Sequence, residues 1–193
     1  MKVSELGHVS LFVRDLEAAT RFYRDLLGLA EAGRGKDGRI VFLTAGRHHH
    51  DISLEVARAE APRSPKGAPG LYHIAFRIGA TADELAAARA AVEAVGLTPF
   101  GEMAGARPCF CVRDPDGNEI ELQVDNFPTM EACKAWFASP AFAANPIGVQ
   151  FDPDALLAKL RGGVPERELL QQGAAPLPKE REYVFTTLPP PPA

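Results

Sequence analysis

No apolar run in this sequence approaches the ~20 residues that a helix needs to cross a bilayer, which excludes a membrane-spanning helix. A basic excess is also missing. Lys and Arg number 21 against 25 Asp and Glu, for a formal net charge of −4. With no stripe of cations, the electrostatic ground for nucleic-acid binding is absent. Cysteine is scarce: Cys109, Cys111 and Cys133 are too few, and odd in number, to frame a disulfide-stapled fold. Cys109 and Cys111 read instead as small packing residues of one strand. Met1-Lys2 leads into a strand-like segment without the apolar core of a signal peptide, so the expected location is cytoplasmic. What is present is ordinary for a globular protein, 46% hydrophobic and 24% charged over 193 residues, enough for one compact core.

Within that ordinary composition the chain repeats itself. Gly7-His8-Val9-Ser10-Leu11-Phe12-Val13 is echoed by Tyr72-His73-Ile74-Ala75-Phe76-Arg77-Ile78, and Asp51-Ile52-Ser53-Leu54-Glu55-Val56 by Glu119-Ile120-Glu121-Leu122-Gln123-Val124. The offsets are 65 residues (8 to 73) and 68 residues (53 to 121). A duplicated unit creates four equivalent inward positions, held here by His8, Ser53, His73 and Glu121.

The local signals predict the same element order in both copies. A strand over about 3–13 precedes a helix that Asp15 can cap, with Leu16, Ala19, Phe22, Tyr23, Leu26 and Leu27 as its apolar stripe and Gly28 just past its end. Strands follow near 30–34, 39–44 and 51–56. In the second copy a strand over 71–78 precedes a helix over about 81–94, opened by a Thr81/Glu84 capping box and stopped at Gly96. Strands near 98–102, 107–113 and 118–124 complete it, the last two joined by the turn Asp114-Pro115-Asp116-Gly117. Residues 61–70, with three prolines and two glycines, read as the linker. Residues 126–193 carry eleven of the seventeen prolines and break into short helices, near 130–138 after Thr129, from Asp152-Pro153 through Leu160, and again after Pro165. The end, residues 188–193, reads as extended chain. The expected fold class is α+β: two βαβββ modules (about 3–58 and 69–125) forming a cupped mixed sheet around a metal site. A domain of residues 1–125 would thus carry a helical, Pro-rich C-terminal extension, 126–193.

Strand alternation then sorts the polar residues. Ile120, Leu122 and Val124 face the helices, so Glu121 faces away; Ile74, Phe76 and Ile78 do the same to His73. His8 joins them if the copies pack symmetrically. Two imidazoles and one carboxylate, with Ser53 vacating the fourth place, make an open site suited to Fe(II), Mn(II), Zn(II) or Ni(II). The run His48-His49-His50-Asp51 enters the strand that carries Ser53. One of its histidines is expected beside the metal as an acid–base group, His50 ahead of His49. Strand parity does not put His50 on the Ser53 face, so that role needs a bend at the strand entrance.

Over residues 3–125 the chain resembles the vicinal oxygen chelate superfamily, whose fold pairs βαβββ units. The resemblance rests on Gly7-His8-Val9 with Arg14-Asp15-Leu16 and Phe22-Tyr23, on Leu71-Tyr72-His73-Ile74-Ala75-Phe76, and on Arg113-Asp114-Pro115-Asp116-Gly117-Asn118 leading to Glu121. His49-His50-Asp51 is similar to the paired histidine of type I extradiol dioxygenases. The later segments Gln123-Val124-Asp125-Asn126-Phe127, Asn145-Pro146-Ile147-Gly148-Val149 and Phe151-Asp152-Pro153 resemble the extension of their small one-domain members. This implies His8, His73 and Glu121 as ligands of Fe(II), with Mn(II) as the alternative, and a histidine of the paired run as acid–base. It also implies a small catechol-like aromatic substrate and O2 inserted beside its diol. Relatives often pair their subunits, which leaves a homo-oligomer open.

The chain departs from that pattern in three places. Residues 101–112 contain no histidine, Cys111 stands where the resemblance leads one to expect tyrosine, and the linker lengthens the stretch between His50 and His73. Arg107 reads either as a surface arginine or as a partner for an anionic substrate group. Two other readings stay open: a different metal-dependent enzyme (isomerase, lyase or thiol transferase) and a non-catalytic small-molecule binder. Glyoxalase I-type sites often use both equivalent carboxylates, and Ser53 argues against that arrangement.

Overall fold

The computed structural model describes residues 1–59, 61–62, 68–104, 108–125 and 127–178. Arg107, part of the linker and the Pro-rich end lie outside the described residues. By internal contacts the chain forms two compact units, Met1–Ile74 with Arg113–Glu119, and Ala75–Val112 with Ile120–Ala193.

In the first unit β1 (Val9–Val13) begins later than the predicted 3–13, because its parallel partner begins only at Ile52 and no strand among the described residues pairs with residues 3–8. Asp15 caps α1 (Leu16–Arg21) by accepting from the Ala18 amide, as its position predicts. The helix continues into Phe22–Leu26 with a widened, π-helical turn. Gly28 then takes a φ of +76°, the left-handed conformation that ends a helix at low cost for glycine. β2 (Ala30–Gly35), β3 (Ile40–Thr44) and β4 (Ile52–Val56) complete a four-stranded sheet in the order β1-β4-β3-β2. β1 runs parallel to β4, and the β4/β3 and β3/β2 pairs are antiparallel. Leu11, Val13, Val41, Leu43, Ile52 and Leu54 are buried with Tyr23, which gives the unit its core.

The second copy repeats the order. β5 (His73–Gly79) precedes α2 (Ala82–Ala94), whose capping box is formed: Thr81 accepts from the Glu84 amide while Glu84 accepts from Thr81 N. β6 (Phe100–Ala104), β7 (Pro108–Arg113) and β8 (Glu119–Val124) follow. The sheet order β5-β8-β7-β6 reproduces that of the first sheet, as a duplication requires. Ile120, Leu122 and Val124 are buried with Phe110, Val112, Leu85 and Val92.

After residue 126, α3 (Met130–Phe137) is capped by Thr129 and α5 (Pro153–Arg161) by Asp152, both as expected. α6 (Glu166–Leu169) starts after Pro165. Two short elements escape the sequence signals. One is α4 (Pro140–Ala144), capped by Ser139; the other is β9 (Val149–Gln150), which adds a fifth strand at the β6 edge. Two residues carry no readable period, so β9 exists only because Met103 and Ala104 offer it an unpaired edge. Among the described residues no helix is long and apolar enough to cross a membrane.

Candidate functional site

The parallel register of β1 and β4 sets Ser10 opposite Ser53, and the antiparallel register of β3 sets Phe42 opposite Ser53 as well. These three residues occupy the sheet face opposite Leu11, Leu43 and Leu54, which are buried. His8 stands one residue before β1 and by alternation belongs to that same open face. The Ser10 and Ser53 hydroxyl oxygens are 2.6 Å apart, so the serine that replaces a carboxylate here is tied to its neighbour strand.

The histidine run arrives over this face through a bend at the entrance of β4. Residues 45–51 form a tight loop between β3 and β4. In it Asp51 Oδ2 accepts from the Ala45 amide at 2.7 Å, and Thr44 Oγ1 accepts from Gly46 N and donates to the His48 carbonyl. The loop turns the His50 ring inward, 4.3 Å from the His8 ring and 5.0 Å from Phe42, centroid to centroid. His49 lies 4.4 Å from His50 and 6.4 Å from His8. The Nδ1 atoms of His49 and His50 are 2.6 Å apart, so one of the two rings must present a lone pair to the other's proton. Burial, followed by the neighbouring His8 and His49 rings, lowers the His50 pKa below the ordinary imidazole value, and Asp51 opposes this more weakly. His50 is therefore a neutral ring near pH 7, able to take up a proton.

His73 opens β5 with its ring 4.8 Å from that of Tyr72. Glu121 sits in β8 between the buried Ile120 and Leu122, on the opposite face from both. The histidines at 8, 49 and 50 are brought together; His73 and Glu121 belong to the other sheet. Among the described residues no group of three His, Cys, Asp or Glu is gathered so as to hold a metal ion. Cys111 is half-buried in β7, and Cys109 is buried.

Two features escaped sequence reasoning. Phe42, the support of the His50 ring, and Ser10, the partner of Ser53, are chosen by strand register, which no local signal in β1 or β3 carries. A third was half legible. The Asp114 turn signal was readable, but not that Tyr23 of the first copy donates to Asp114 Oδ2 at 2.9 Å.

Comparison with known proteins bears on what this face does. Residues 5–122 match the family model described as Glyoxalase/Bleomycin resistance protein/Dioxygenase superfamily. Biphenyl-2,3-diol 1,2-dioxygenase 2 of Rhodococcus globerulus is 32% identical over 163 residues, covering 83% of this chain and 84% of that protein. Glutathione transferase FosA of Serratia marcescens is 29% identical over 133 residues, 68% of this chain and 89% of its own length. Among solved structures, a glyoxalase/dioxygenase from Nostoc punctiforme aligns with a TM-score of 0.55 at 22% identity, over 63% of this chain and 91% of that one, a likeness of fold alone.

Proposed function

Because the chain belongs to the glyoxalase/bleomycin resistance protein/dioxygenase superfamily, we propose that it is an Fe(II)-dependent extradiol dioxygenase that opens a catechol-like aromatic ring. The observation that carries this reading is the inward His50 ring, packed on Phe42 and set beside His8. An acid–base imidazole next to a ligand histidine is what a diol substrate requires. The donor set fits the metal in kind: His8, His73 and Glu121 offer two imidazoles and one carboxylate, His73 and Glu121 from strands and His8 from the segment just before β1. Fe(II) bound to them would supply a centre at which diol and O2 meet and exchange electrons.

The remaining work falls to the chain itself. His50, uncharged near pH 7, accepts a proton from a substrate hydroxyl, and His49 is the group to which its Nδ1 is coupled. Phe42 holds the His50 ring against rotation and gives the aromatic substrate an apolar neighbour. Ser53, engaged with Ser10, adds no fourth protein charge.

The test is oxygen uptake by anaerobically iron-loaded protein across a panel of catechols. No uptake with any of them sinks the proposal. His50→Gln is expected to lower kcat by about 10²–10³-fold, with the iron content unchanged by metal analysis. The FosA relationship favours a second reading, a metal-dependent thiol transfer. Activity with Mn(II) or Zn(II) and a thiol, without O2, would select it.

A further inference from the structure

In the second unit, lined by none of the residues proposed for the metal site, a cavity of about 140 Å³ lies between α2 and α5. Its origin is in the sequence of α2. Ala82, Ala86 and Ala90 recur every four residues and form one row of the helix, so the ridge that α2 turns to α5 is shallow. Leu156, Leu157 and Leu160 of α5 border the space without filling it, and Phe110 of β7 contributes an aromatic wall.

One polar group inside is unsatisfied. The guanidinium nitrogens of Arg89 are not all engaged alike: Nη1 meets Glu93 at 2.8 Å and Asp154 at 3.9 Å. Its Nε is buried and has no hydrogen-bond partner among the described residues. A buried N–H without an acceptor is uncommon and calls for an oxygen to fill the place. The carboxylates of Glu93, Glu102 and Asp154 border the same space, so the surroundings carry more negative than positive charge and oppose an anion.

We infer that this cavity binds a neutral single-ring phenol. An apolar cavity of roughly 150 Å³ accepts a benzene ring, so the volume suits one ring and not two. A hydroxyl oxygen can accept from Arg89 Nε while its proton goes to a neighbouring carboxylate, a pairing open neither to a hydrocarbon nor to a carboxylate ligand. None of the proposed metal ligands lines it, and the inference does not depend on that reading.

The experiment is a ¹⁹F NMR titration of the full chain with 4-fluorophenol, fluorobenzene and 4-fluorobenzoate at neutral pH. Saturable one-to-one binding of 4-fluorophenol is expected, with fluorobenzene and 4-fluorobenzoate each weaker by about tenfold or more. Arg89→Met should bring 4-fluorophenol down to the level of fluorobenzene. Ala86→Leu and, independently, Ala90→Leu should abolish or sharply weaken binding, with circular dichroism used to accept only folded variants. His8→Ala should leave it unchanged, which separates this cavity from phenol held at the proposed metal site. Absence of saturable binding, equal affinity for the phenol and the hydrocarbon, tighter binding of the benzoate, or loss of binding in His8→Ala alone would each overturn the inference.

Discussion

Replacing His8 by alanine is expected to abolish iron retention and to lower catechol-dependent oxygen uptake by about a thousandfold or more. Loss of a group that only hydrogen-bonds a metal ligand already costs about 10–100-fold, and His8 is proposed as a ligand itself. The same loss is expected for Glu121→Gln, which keeps the shape of the side chain and removes the anionic donor. The two variants separate a metal role from a structural one. His8 is exposed and lies outside any strand, so its loss should leave the thermal melt in place. Metal analysis, oxygen uptake and melting temperature measured on one preparation settle the point. Full activity with full iron in His8→Ala removes His8 from the site; iron and activity lost together, with the melt preserved, support it.

The largest effect on stability is expected at Asp114, far from any proposed ligand in role. The residue is 4% exposed, and both carboxylate oxygens are engaged. Oδ1 accepts from the amides of Asp116 at 3.0 Å and Asn118 at 2.8 Å. Oδ2 accepts from Asn118 Nδ2 at 2.8 Å and from the Tyr23 hydroxyl at 2.9 Å. Asp114→Ala strands these donors together, at a cost of about 3–4 kcal/mol. For a chain of this size that corresponds to a fall in Tm of about 10 °C. Tyr23→Phe removes one bond and should cost about 1 kcal/mol.

Alkaline pH offers an independent check on the same contact. Burial, and then the Asp114 charge, push the Tyr23 phenol far above its ordinary value. The folded state therefore holds its proton where the unfolded chain, with a phenol pKa near ~10, releases it. The stabilisation is fully present below about pH 10 and is lost as pH rises beyond it. Chemical denaturation across pH 8–11 should show that decline in the wild type and a shallower one in Tyr23→Phe. Equal slopes would place the cause elsewhere.

Much of the architecture was readable residue by residue. Asp15, Thr81 with Glu84, Thr129 and Asp152 each announce a helix start, and each caps one, because a cap is a contact among residues two to four apart. The alternation in β5 and β8 likewise predicts which side chains turn from the core, since side-chain direction in a strand follows from backbone geometry alone. The late start of β1, the strand β9 and the brief helix α4 were not readable. The first two exist only where a partner edge is present, and α4 is too short to show a period.

The same division runs through the candidate site. By itself the sequence determined the duplicated βαβββ order, the residues proposed as donors, His8, His73 and Glu121, and the presence of Ser53 at the fourth equivalent place. These are properties of chain order and alternation, which are local. Only the tertiary structure decided that His50 turns inward against His8 and Phe42, that Ser10 engages Ser53, and that Tyr23 closes on Asp114. Those contacts depend on strand register and on the bend at residues 45–51, where the chain leaves the regular period that makes a sequence legible.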